Sequence, residues 1–227
     1  MNAITEDSRR VAGLLLDAGC VEVRGEEPFR LPSGWASPVY MDCRRLGSFP
    51  AIRRDLVATG LAQLRAAGRL EGLGAVVGAE TSGIALAAWM ADTLDLPLLV
   101  VRKQPTAQAP VEGVLAAGTT VLLVDDMMAA GHSKRRFAQA LAQAGAVVRD
   151  VFVVFDYGTF PTGALLAPLG VATHALCDWR AVLAVASERG MFDAPALAEV
   201  QRFLQNPAGW SQAHGGIAAP PADRSPI

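Results

Sequence analysis

The stretch Val121 to Lys134, VLLVDDMMAAGHSK, decides how the rest of the chain is read. Its four leading apolar residues, Val121 to Val124, predict a central strand covered on both faces. Two adjacent carboxylates, Asp125 and Asp126, follow at the strand end. Met127 to His132 then make a short loop of small or unbranched residues around Gly131. Ser133 is a good helix N-cap, and KRRFAQALAQAGA runs on as a helical pattern. A strand, two acids, a tight loop and a helix start form an anion cradle. Loop N–H groups and a helix N-terminus can hold a phosphate. The acids can hold ribose hydroxyls. Taken alone, the same pattern also describes an ordinary strand–turn–helix with acids facing solvent.

The design recurs on both sides of this stretch. AVVGAETSGIALAAWMADTL, from Ala75, predicts a buried strand ending at Gly78, the loop Ala79 to Gly83, and a helix from Ile84. Gly78 and Gly83 allow close backbone approach, and Thr81 and Ser82 offer hydroxyl and N–H donors. Leu96 to Val101 is a further apolar strand, ending in Arg102 and Lys103. Val147 to Phe155 is another, ending at Asp156. Strands alternating with helices predict an α/β fold with a mostly parallel central sheet flanked by helices, its strand ends carrying the site.

Before this core, Thr5 caps a helix over 6–18 with Val11, Leu14, Leu15 and Ala18 on one face. VEV and FRL read as short strands, and Val39 to Met41 as another after the turn signals Ser33-Gly34 and Ser37-Pro38. Pro50 opens a helix reaching Gly68. After Asp156 the pattern predicts one helix, one strand and two helices. The Gly/Pro-rich segment SQAHGGIAAPPADRSPI, 211–227, predicts a disordered tail.

Composition narrows the function classes. The 227 residues, 52% hydrophobic and 19% charged, fit one globular domain over 1–210 with the tail beyond. A net charge of −2 argues against a broad nucleic-acid surface. Cys20, Cys43 and Cys177 are widely spaced and odd in number, which predicts reduced thiols in a cytoplasmic setting and no zinc site. MNAITEDSRR is no signal peptide, and no apolar run is long enough for a membrane span.

Two stretches carry a family resemblance. VLLVDDMMAAGHSK resembles the 5-phosphoribosyl-1-pyrophosphate (PRPP) motif of the type I phosphoribosyltransferases. LPSGWASPVYMDCRRL, 31–46, resembles the N-terminal hood of the orotate phosphoribosyltransferases, matching Leu-x-Ser-Gly-x-x-Ser-Pro-x-Tyr-x-Asp-x-Arg at every fixed position from Leu31 to Arg44. The likeness extends over roughly 6–210. It implies the type I phosphoribosyltransferase fold with a small hood, mainly 20–46, and transfer of the ribosyl 5-phosphate of PRPP to orotate. Magnesium would come with PRPP, with no direct side-chain ligation, and the chain would form a homodimer because the mobile loop reaches across it.

The resemblance also implies residue roles. Asp125, Asp126 and Lys103 would be catalytic. PRPP would meet Arg102, Lys103, both acids, Met127, Met128, Ala129, Ala130, Gly131, His132 and Ser133. Its pyrophosphate would lie on Ala79, Glu80, Thr81, Ser82 and Gly83, with Glu80 pointing away or acting through a cation. The base would meet Ser33, Gly34, Tyr40, Ala129 and Tyr157. Several family positions differ here: Pro32, Thr106 and Gln108 replace Lys, Lys and His, Ala129 replaces Thr, and Tyr157 replaces Arg. Those departures leave open a PRPP-binding regulatory paralogue, or a transferase for another base.

Overall fold

The computed structural model describes residues 4–24, 27–31, 33–103, 110–160 and 162–218. Pro32, Thr106 and Gln108 lie outside them. The sequence predicts one domain over 1–210; within the chain two compact units are distinguished, Met1–Arg45 with Trp179–Ile227, and Leu46–Asp178. The division follows two kinds of local structure: short antiparallel pairs with helices in the first, a parallel ladder in the second.

In the first unit, α1 (Glu6–Asp17) starts where Thr5 accepts the Ser8 N–H on its hydroxyl at 3.1 Å. Val11, Leu15 and Leu16 form its buried face. β1 (Val21–Val23) pairs antiparallel with β4 (Val39–Met41), and β2 (Phe29–Arg30) with β3 (Ala36–Ser37). These two small sheets occupy the stretch expected to form the hood.

The second unit is built on a six-stranded sheet. Pro50 takes the first helical position of α2 (Pro50–Ala66), where its missing N–H costs nothing. β5 (Ala75–Ala79) is buried along its whole length. Then follow α3 (Gly83–Leu94), β6 (Leu98–Val101), β7 (Val111–Glu112), β8 (Thr120–Met128), α4 (His132–Gln143), β9 (Val147–Asp156), α5 (Thr162–Leu166) and β10 (Ala172–Asp178). The spatial order is β10-β9-β8-β5-β6-β7, parallel except for the β6–β7 edge pair. The predicted α/β fold with a mostly parallel sheet is borne out. Val77, Leu99, Leu123, Val151 and Val153 pack with Phe137 and Leu141 in one core cluster. Each such buried side chain stabilises the fold by about 1.5–3 kcal/mol. On α2, a Cβ at Gly60 would lie 2.5 Å from the Phe152 ring, so this glycine lets the helix seat closely on β9.

Two local expectations are corrected. The acids are not beyond the strand: β8 runs through Asp125, Asp126, Met127 and Met128 because β9 is long enough to pair with it as far as Met128. Ser133 is not the helix cap. Gly131, with φ 80° and ψ −6°, turns the chain, and α4 begins at His132 with no side-chain cap. The left-handed turn that ends the strand needs glycine, and that turn sets where the helix starts.

The first unit closes with three helices where the sequence predicts two. α6 (Trp179–Glu188) packs on α1, with Arg9 paired to Glu188 and Arg189 to Asp17. α7 (Ala194–Gln205) and α8 (Pro207–Ala213) are separated by Asn206, whose side chain accepts the Gly209 N–H at 3.0 Å. The expected disordered tail does not begin at Ser211. α8 continues past it, and the Ile217 N–H donates to the Gly34 carbonyl at 3.1 Å. Residues 219–227 lie outside the described ones.

All three cysteines are free and buried. Burial pushes the Cys20 thiol up to about 12, partly opposed by the Arg45 charge. Because the thiolate is the nucleophile, Cys20 is expected to react with a thiol reagent at pH 8 roughly a thousandfold more slowly in the native than in the denatured protein. Peptide mapping after timed alkylation reads this directly; rapid native labelling of Cys20 would contradict it. Among the described residues no helix is long and apolar enough to cross a membrane.

Candidate active site

The sheet order places the site. β5 and β8 are neighbours, but the chain leaves them in opposite directions, from β5 to β6 and from β8 to β9. Loops that part from adjacent parallel strands open a crevice at the strands' carboxyl ends, where open α/β sheets bind ligands. The diverging loops are 80–82 and 129–131, each leading into a helix of twelve residues.

The first loop depends on glycine for space. A Cβ on Gly83 would fall 2.3 Å from the Val124 carbonyl oxygen and 2.8 Å from Asp125 Cα. A Cβ on Gly78 would fall 2.7 Å from Ile84 Cα. The start of α3 therefore lies directly on β8 beside the acids. Within the loop, the Glu80–Thr81 peptide is cis.

Glu80 has found its cation. Its Oε1 accepts from the Arg102 guanidinium at 3.0 Å, and its Oε2 accepts the Lys103 backbone N–H at 2.8 Å. Those bonds, the backbone one foremost, hold its carboxyl below the usual range. Arg102 is not a bare charge. Glu112 on β7 takes its Nε at 2.9 Å, and the two acids raise its pKa. From α4, Arg136 donates to the Lys103 carbonyl at 3.4 Å. Lys103 is thus held at both backbone groups, and its residue is exposed.

The acids form the inner part of the site. Asp125, 7% exposed, accepts the Asp126 N–H on Oδ1 at 2.9 Å and pairs through Oδ2 with Lys134 Nζ. Asp126 accepts the Met127 N–H at 2.8 Å. Burial first, and then the Asp125 charge, push the Asp126 carboxyl up to about 7; Lys134 works against the rise. Burial also raises Asp156, at the end of β9.

Around the second loop, Ala129 and Ala130 are half-buried, and the Arg135 N–H donates to the Gly131 carbonyl in the first turn of α4. His132 Nδ1 is buried with no hydrogen-bond partner among the described residues. Met128 is buried, and its carbonyl accepts the Tyr157 N–H at 2.9 Å. The Tyr157 ring is itself buried, edge-on to Phe155 with centroids 5.6 Å apart. Within this unit, contacts link Glu80 with Arg102 and Lys103, and Gly83 with Asp125. The remaining expected base contacts belong to the other unit. Ser33 and Gly34 are exposed in a turn, with Gly34 at φ 90°. The Tyr40 hydroxyl accepts from Arg44 at 3.0 Å, and Arg44 also pairs with Asp42 at 2.6 Å.

Lys134 is the member of the site that the sequence reading passes over, as one more residue of the helical pattern. A signal for it exists. Lys134, Arg135 and Arg136 stand in the first turn of a helix, where the dipole favours acids. A cation placed there needs an anion nearby.

The chain is similar to known proteins. Residues 55–158 match the model of the phosphoribosyl transferase domain. The orotate phosphoribosyltransferase of Dinoroseobacter shibae is 43% identical over 214 residues, covering 92% of this chain and 94% of the relative. That of Rhizobium meliloti is 40% identical over 225 residues, covering 96% and 97%. Among solved structures, the orotate phosphoribosyltransferase from Aeropyrum pernix superposes with a TM-score of 0.66 at 30% identity, over 79% of this chain and 99% of that one. With the PRPP-like strand and loop at the sheet's switch point and relatives this similar over nearly their whole length, the chain belongs to the orotate phosphoribosyltransferase family.

Proposed function

We propose that the chain transfers the ribosyl 5-phosphate of PRPP to orotate, giving orotidine 5′-phosphate and pyrophosphate in pyrimidine biosynthesis. The observation that carries this reading is the acid pair on β8, Asp125 buried and Asp126 half-buried, flanked by two loops that each open onto a helix start.

The chemistry follows from charge. As the bond from C1 of the sugar to pyrophosphate breaks, positive charge develops on the ring. Asp125 and Asp126 hold the ribose hydroxyls and favour that charge from a largely desolvated position. The loop 129–131 and the N-terminus of α4 hold the 5-phosphate. The loop from Ala79 to Gly83 and the Arg102–Lys103 strand end receive the departing pyrophosphate. No covalent nucleophile is required.

PRPP would enter with magnesium, which would offset the charge of the leaving pyrophosphate. The acid of the pyrophosphate loop, Glu80, is already engaged by Arg102 and Lys103. A cytoplasmic homodimer belongs to the same proposal.

One observation favours testing the acceptor. The family's Arg that meets the base's carboxylate is Tyr157 here, with its ring packed on Phe155. A panel of orotate, uracil and purines with PRPP and magnesium is expected to show turnover with orotate alone. Turnover with another base and none with orotate would replace orotate as the acceptor.

A further inference from the structure

Lys134 is, among the described residues, the cation buried inside the site, with 4% of its surface exposed. Its Nζ pairs with Asp125 Oδ2 and lies 3.5 Å from Ser133 Oγ. Two pairs of carboxylates stand at the ends of three parallel strands: Asp125 with Asp126 on β8, and Asp156 on β9 with Asp178 on β10. The Lys134 charge acts on Asp126 and Asp156, and the Asp178 charge acts on Asp156. From α3, Gly83 lies so close that a Cβ there would fall 3.1 Å from Asp125 Oδ1. One ammonium therefore acts on two carboxyls, Asp126 and Asp156, that burial and a neighbouring acid drive toward protonation.

We propose that Lys134 is a positioning residue for the transferase reaction: its ammonium fixes the orientation of Asp125 and favours the charged form of the Asp125–Asp126 pair as positive charge develops on the sugar. The inference rests on the transferase reading given above. Its geometry is independent of the substrate, because Lys134 touches the face of the acid pair turned toward α4. The helix start would otherwise be the least favourable place for a lysine. A buried and a half-buried carboxylate side by side, without a cation, would hold a shared proton to higher pH, as like charges at close quarters do. A pair carrying that proton holds one negative charge fewer against the oxocarbenium-like sugar.

Two readouts test this, on Lys134→Met, which keeps the stem and loses the charge, and on Lys134→Gln, which keeps a donor for Asp125. First, the acid limb of the kcat/KM profile is expected to move to higher pH in both variants. Activity at pH 7 falls by about tenfold or more, with most of it restored by pH 9. Second, carboxyl 13C NMR of the substrate-free protein is expected to show Asp126 titrating near pH 7 in the wild type and higher in the variants. Folded variants with unchanged profiles and an unchanged titration would overturn the proposal. If both variants failed to fold, Lys134 would be a stability residue and the proposal would be overturned as well. The NMR titration needs no turnover, so it decides the role of Lys134 even if the wild type were inactive on orotate.

Discussion

Asp126→Asn is expected to lower kcat/KM by about 10²–10³ and, in the same protein, to raise thermal stability at alkaline pH. The two effects share one cause. Asp126 is held among buried groups beside Asp125, and its carboxyl is pushed from 3.8 to about 7. The folded protein then binds this proton more tightly than the unfolded chain does. The contribution of this group to stability is accordingly most favourable below about pH 4, falls as pH rises, and carries the full cost of ionisation above about pH 7. That cost is on the order of 4 kcal/mol at pH 8. Asparagine has no such charge, so calorimetry should show the Tm of the variant above that of the wild type by about 8–16 °C at pH 8, and by less at pH 5. A Tm difference that stays constant across this range would contradict the account. Function explains why an acid stands there at all, since the charge that burdens the fold is the one that meets the developing cation.

Gly83→Ala should be the most damaging small substitution in the second unit. The new Cβ would meet the Val124 carbonyl oxygen at 2.3 Å and Asp125 Cα at 2.8 Å. Both are backbone atoms of a central strand, so neither can swing aside as a side-chain tip would. The start of α3 must lift from β8, and with it the loop 80–82 and the register of Asp125. Overpacking of this kind costs about 3 kcal/mol, which lowers Tm by roughly 6–12 °C in a chain of this size. Because loop and acid pair are displaced together, kcat is expected to fall with KM for PRPP rising. Steady-state kinetics and a thermal melt check both. A variant with wild-type Tm and kcat would show that α3 does not seat on β8 as described.

The parts legible in the sequence are those set by local pattern. The alternation of apolar strands with helices predicts the parallel sheet, and Thr5 and Pro50 mark their helix starts because capping is a matter of a few neighbouring residues. The acid pair stands out as charge at the end of an apolar run. Features set by pairing across the chain were harder to read. β8 extends through its acids because β9 continues alongside it, and nothing within Val121 to Lys134 says so. Gly131 rather than Ser133 starts α4, because a left-handed turn outranks a capping side chain once the strand runs longer. The pairing of Lys134 with Asp125 needs the helix to double back on its own strand. Glu80, awkward beside a pyrophosphate in the sequence, becomes intelligible once β6 brings Arg102 next to it. The division into two units depends on α1 packing against α6, which lie more than 150 residues apart.

The most direct test of the central claim is orotate consumption, followed as the fall in ultraviolet absorbance, by purified protein with PRPP and magnesium. Steady turnover proportional to enzyme is the predicted result. Folded protein at high concentration that binds PRPP in a calorimetric titration but consumes no orotate would contradict it, and would make the chain a PRPP-binding member of the family without the transfer activity.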